Sequence, residues 1–244
     1  MSSQSKISVG SVLNEGWALG LKNAASILGA LILWILTIWI PYLNVGTTIA
    51  IYTIPLALSR GEIISPLFIF DAKYRNYMGE FFTLIGLMAL SLIPAFLFLI
   101  VPGIVISIGW SLAIYILLDK GVAPGEALVQ SNRATQGYKW TIFGVSFVLG
   151  LVYVILHVVF SSIFGTDSLL ANIFVLVITI LYEFIALGCT AVIYRNLMMQ
   201  ASTNAQASGN TQAPSNAQAP VNQAPANAQA PADPQDDADA SADD

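Results

Sequence analysis

Apolar residues in this chain come in long unbroken runs rather than short alternations. No charged residue falls between Asn23 and Ser59, between Phe81 and Leu118, or between Trp140 and Thr166. Runs of that length read as membrane-spanning. The run Asn23–Ser59 has 37 residues. As one helix it would be about 55 Å long against a hydrocarbon core of about 30 Å, so it must fold back. Pro41 to Gly46 is the natural turn, giving spans at about 24–42 and 45–59, the second kinked by Pro55. The run Phe81–Leu118 repeats the arithmetic. Its turn is placed at Val101-Pro102-Gly103, between spans at about 80–100 and 103–118. Spans at about 140–163 and 168–194 follow, joined at Phe164–Asp167. The predicted fold class is therefore all-α: a polytopic membrane helical bundle of about six transmembrane helices. The spans at 45–59 and 103–118 are short, so full crossing and re-entrant hairpins both remain open for them.

Between these runs the pattern becomes amphipathic. Val9, Val12, Leu13, Trp17 and Leu21 recur at helical spacing, which predicts an interfacial helix over 7–22 within an N-terminal segment 1–22. The aromatics and bases of 59–80 predict a helix lying in the interface. Pro124 opens another short helix before the run that begins at Trp140. The membrane domain is assigned to 23–199. Residues 200–244 are rich in Ala, Pro, Asn and Gln, repeat NAQA at Asn204, Asn216 and Asn227, and are expected to be disordered.

Charge adds sidedness. The nine bases are Lys6, Lys22, Arg60, Lys73, Arg75, Lys120, Arg133, Lys139 and Arg195. Under six spans all of them fall on one face, which the positive-inside rule makes cytoplasmic, with both ends on that side. The expected location is a prokaryotic cytoplasmic (inner) membrane. The net charge of −5 arises from six acids in the tail, and no basic stripe points to nucleic acid.

Polar residues inside apolar runs are costly and mark places of interest. Glu183 is predicted near the middle of its span, facing protein or water, on a face with Asn172, Thr179, Ala186 and Thr190. Ser146, Gly150, Tyr153, His157 and Ser161 form a stripe on the preceding span, and Ser107 and Ser111, with Trp110 beside them, add to the span before that. Two readings stand open: a polar path or protonation site, or small and hydroxyl residues packing helices together. The chain has one histidine and one cysteine, Cys189, which is expected to be packing. It shows no P-loop, HExxH or GxSxG pattern, so neither cofactor, metal nor catalytic group is assigned and an enzyme is not expected.

Two stretches carry a family pattern. Gly16-Trp17 lies near the start. Further on, Pro102-Gly103-Ile104 opens a span, and Glu126-Ala127-Leu128, Ser131 and Gly137 precede Trp140. This pattern resembles prokaryotic integral membrane proteins of unknown function, related to the membrane domain of some glycerophosphodiester phosphodiesterases. The resemblance implies a multi-span helical bundle with cytoplasmic interfacial helices. It supplies no catalytic residues. Within the pattern, Glu126, Ser131 and Arg133 are expected near one face of a short rim helix, as a clasp between the flanking spans or a binding site.

Two functions follow. One is a non-catalytic membrane scaffold or partner subunit, whose partners are the lipid bilayer and other proteins or further copies of the chain. The other is a small channel or transporter using the polar stripes.

Overall fold

The computed structural model describes residues 7–165 and 168–210. The predicted disordered tail beyond Asn210 lies outside the described residues. Ten α-helices occur among those described, and no strand. They are α1 (Val9–Lys22), α2 (Ala24–Thr37), α3 (Pro41–Tyr52), α4 (Ile54–Ser59) and α5 (Met78–Phe98), then α6 (Ile100–Gly109), α7 (Ala113–Lys120), α8 (Pro124–Thr135), α9 (Lys139–Phe164) and α10 (Leu169–Asn210). Two short 3-10 helices, Pro66–Phe70 and Ala72–Tyr77, fill the segment between α4 and α5. That segment was expected to be one interfacial helix. Pro66, and Asp71 in extended backbone, divide it instead.

Five helical stretches among the described residues are long and apolar enough to cross a bilayer, and a sixth if α1 and α2, bent by 69°, count as one. The protein is an all-α membrane bundle, as the apolar runs predicted.

Two predicted turns move. The first reversal lies at Ile38–Ile40, and Pro41–Gly46 is already helix. Proline suits the first helical position because its missing N–H would have no intrahelical partner there. The second reversal lies at Leu99, which is extended, with φ −147°. Pro102 therefore falls in the first turn of α6, where its missing N–H again costs nothing. Gly103 supplies close approach rather than a bend, because a Cβ there would sit 2.8 Å from the Phe96 ring. The kink expected at Pro55 appears as a break at Thr53 between α3 and α4. Residues 200–210, assigned to the disordered tail, continue α10 as helix.

The molecule has two parts. Hairpins α2–α3, α5–α6 and α9–α10 carry the exposed apolar surface, including Ile35, Leu36 and Trp39, Leu97 to Val101, and Val154, Ile155 and Leu170. In a bilayer these side chains need no further cover. Hydroxyls join the first hairpin. Trp34 Nε1–H donates to Thr48 Oγ1 at 2.9 Å, and Thr37 and Thr47 share a hydrogen bond of 2.8 Å. Stacked Phe160, Phe164 and Phe174 close the third, with ring centroids 4.8 Å apart for Phe160 and Phe174.

The other part is a packed inner layer of α1, α4, α7, α8 and the second half of α10. Val12, Leu56, Leu112, Ile116, Leu117, Val192 and Leu197 are all buried in it. α1 runs antiparallel along α10 at backbone contact. A Cβ on Gly16 would sit 2.7 Å from the backbone nitrogen of Cys189. One on Gly20 would overlap the Phe184 carbonyl, and one on Gly188 the Gly16 carbonyl. The Cys189 thiol, buried as expected, donates to the Val12 carbonyl at 3.7 Å, and Arg195 pairs with Glu15. The helix expected to lie on the membrane surface thus spends its apolar face on α10, and only Trp17 of that helix leaves a large apolar surface exposed.

A methyl group at Gly20 should force α1 and α10 apart. Overpacking of this kind costs about 1–3 kcal/mol. Gly20→Ala and Gly188→Ala should therefore lower the thermal unfolding midpoint in detergent. Gly86→Ala, where nothing lies within 4 Å, should leave it unchanged or raise it.

Candidate functional site

The polar stripes form one seam and several isolated groups. Tyr153 on α9 and Thr179 on α10 share a hydrogen bond of 3.3 Å, and Thr179 also donates to the Val175 carbonyl at 2.8 Å. Tyr182 and His157 pack at a tilt against Tyr153, with ring centroids 5.0 and 6.2 Å away. This is the only place among the described residues where the two predicted stripes bond to each other. Ser107 donates to Ile104 of its own helix and Ser111, in the turn that follows, to Ile108, both at 2.8 Å, and Thr190 donates to Ala186. Asn172 and Ser146 are exposed. The cavity beside the seam, about 150 Å³, is lined by Trp17, Leu149, Val152, Leu156 and Ile185 besides the two tyrosines.

Glu183 stands apart from these contacts. It is exposed, and no hydrogen bond or ion pair reaches it among the described residues. The predicted face holds Thr179 against α9 but leaves Glu183 at its edge. Large apolar side chains of α10 are exposed from Leu169 to Leu181, and from Phe184 to Met198 the side chains are buried or half-buried. Glu183 stands where α10 passes from the first stretch to the second. Because Gly20 meets Phe184 and the helices are antiparallel, Lys22 and Glu183 differ by only about 1.5 Å along the helix pair. A base and an acid at one level, both exposed, mark where the apolar half gives way to the inner layer.

The rim motif is resolved into parts. α6 and α7 are separated by a turn at Trp110–Leu112 that frees a carbonyl and an N–H. Ser131 is fully buried and satisfies both: its hydroxyl donates to the Gly109 carbonyl at 2.7 Å and accepts from the Leu112 N–H at 3.2 Å. Thr135, also buried, reaches the same carbonyl at 3.3 Å. Lys139 at the start of α9 donates to Asn132 at 3.0 Å. Ser131 is thus a clasp holding α8 against the broken span. Glu126 and Arg133 do not share its face. Both are exposed, and Glu126 bonds to Gln130 at 3.0 Å. At 100° per residue, five positions carry Ser131 about 140° away from Glu126, whereas seven bring Arg133 back beside it. Thr135 was not singled out from the sequence; its spacing of four from Ser131 on an otherwise small-residue face was the available signal.

Polar-lined cavities lie in the inner layer. One of about 490 Å³ is bordered by Lys120, Glu126, Gln130 and Arg133 with Leu197 and Met198. Another of about 320 Å³ lies between α4, the second 3-10 helix and α7, beside the Arg60–Asp119 ion pair. The Tyr194 hydroxyl donates to the same Asp119 at 2.6 Å. No set of histidine, cysteine and carboxylate side chains that could hold a metal ion occurs among the described residues.

Comparison with known protein families, curated proteins and solved structures yields no match to this chain.

Ser131→Ala should remove the clasp and leave the Leu112 N–H unpaired in a buried place, at a cost of about 1–3 kcal/mol. Glu126→Gln and Arg133→Gln should stay within about 0.5 kcal/mol of wild type, as exposed substitutions do. Thermal unfolding of the three variants in one detergent checks the ranking, and equal midpoints would contradict the clasp.

Proposed function

We propose that this protein is a non-catalytic integral membrane module that works through its inner face, as a scaffold or subunit for partners on that side. The observation that carries the reading is the division of polar surface. The polar-lined cavities lie in the inner layer, while the cavity along the α9–α10 seam is apolar apart from two tyrosines. A conducting path needs polar groups facing a shared space at membrane depth. Here the hydroxyls of α6 and α10 are mostly spent on their own helices. The bases border the inner face: Arg60, Lys120, Lys139 and Arg195 each bond to a group of the inner layer. By the positive-inside rule that face is cytoplasmic in a prokaryotic inner membrane, with both ends of the chain on the same side. Kinship with the membrane domain of glycerophosphodiester phosphodiesterases belongs to the same proposal. It rests on the Pro102-Gly103 and Glu126–Ser131 pattern, and the clasp role of Ser131 gives that pattern a structural reason.

The test is reconstitution. Protein in liposomes should pass neither ions nor small solutes above the protein-free rate, and Glu183→Gln should fold and support the cellular phenotype like wild type. A flux that Glu183→Gln removes without unfolding the protein would replace the scaffold by a channel or transporter.

A further inference from the structure

The cavity between α4 and α7 has a lining that neither clasp nor seam uses. Its floor is Leu56, Ala57 and Leu118, and its wall carries Arg60, Lys73, Tyr77 and Glu62. Asp119 also borders it but is already occupied, taking the Arg60 guanidinium and the Tyr194 hydroxyl. Arg60 keeps further N–H donors, since a guanidinium has five. Lys73 gives one of its three donors to Asp71 at 3.1 Å. The Asp71 carboxyl, at the surface, lies below the usual carboxylate range because it accepts the Lys73 backbone N–H and then its ammonium. Glu62 accepts no hydrogen bond among the described residues, and its side chain is exposed. The wall therefore offers donors from two cations on one part and an uncommitted carboxylate on another.

A second observation places this cavity at lipid. Ile63, Leu67 and Phe70, in the segment that forms its edge, are 85%, 66% and 38% exposed. Three exposed apolar side chains beside Arg60 and Lys73 are the arrangement of an interfacial anchor, with apolar groups in the acyl boundary and bases at headgroup level. A soluble anion site would not need that flank.

We propose that this cavity binds the headgroup of a zwitterionic glycerophospholipid carrying a primary amine. Its phosphodiester is held by Arg60 and Lys73, and its ammonium by Glu62. Cations and a free carboxylate share this lining, which matches a phosphate and an ammonium on one headgroup better than a purely anionic one. The ammonium donates N–H bonds to a carboxylate, whereas a choline headgroup has no N–H to give. The proposal stands apart from the scaffold reading, since either could fail alone.

The test uses the full chain in detergent, exchanged against mixed micelles holding phosphatidylethanolamine, phosphatidylcholine and phosphatidylglycerol in equal amounts. Retained lipid is counted by native mass spectrometry. With one added hydrogen bond to a charged group, phosphatidylethanolamine should be retained at least about tenfold over phosphatidylcholine. Glu62→Gln should erase that preference, and Lys73→Gln should weaken retention of both lipids. Unchanged helicity and thermal midpoint in both exposed variants show that they fold. Equal retention of the three lipids by wild type overturns the proposal, as does preference for phosphatidylglycerol or indifference to both substitutions. Displacement of the lipid by millimolar inorganic phosphate would make this a soluble phosphate site, and would overturn it also.

Discussion

Backbone contact between α1 and α10 is the constraint on which the inner layer depends. Gly16, Gly20 and Gly188 remove the side chains that would hold the helices apart, and the helices meet at their carbonyls. Close approach of that kind is how helices associate when lipid removes the usual hydrophobic drive. Its consequences spread outward. It fixes α1 at an angle to α2, brings Glu15 to Arg195, and turns the Val12 side of α1 into core. The same stretch of α10 gives α7 and α8 a floor of Val192, Tyr194 and Leu197.

The second organising device is polar and local. A span that breaks at Trp110 frees backbone groups that lipid cannot satisfy. Ser131 and Thr135 satisfy them from α8, so the break becomes a joint between α6, α7 and α8. The joint also explains why α8 is buried on one face and charged on the other. Glu126 and Arg133 remain on the outside, beside the cavity they share with the second half of α10.

Much of this was legible in the sequence for a simple reason. Lipid demands continuous apolar runs, and their length showed the folding back and the ends of α9 to within a residue. Prolines were read correctly as markers but assigned the wrong side of the turn: Pro41 and Pro102 start helices instead of filling loops. Side-chain pairing was less legible. Periodicity put Glu183 on a polar face, but could not show that α10 passes there from exposed to packed side chains, because that depends on where α1 docks. The Gly16–Gly20 spacing was visible, yet its partner, Gly188, lies 168 residues beyond Gly20. Only a contact between distant segments gives it meaning.

The central claim is that the hairpins lie in hydrocarbon while the packed layer borders water on one side. Spin labels placed one at a time at exposed positions test it directly, through their relaxation by dissolved oxygen and by a water-soluble nickel complex. Labels at Ile35, Leu90 and Ile155 should be relaxed mainly by oxygen, and labels at Asn14, Glu126 and Asn132 mainly by nickel. Nickel reaching Leu90 and Ile155 as readily as Asn14 would contradict the account.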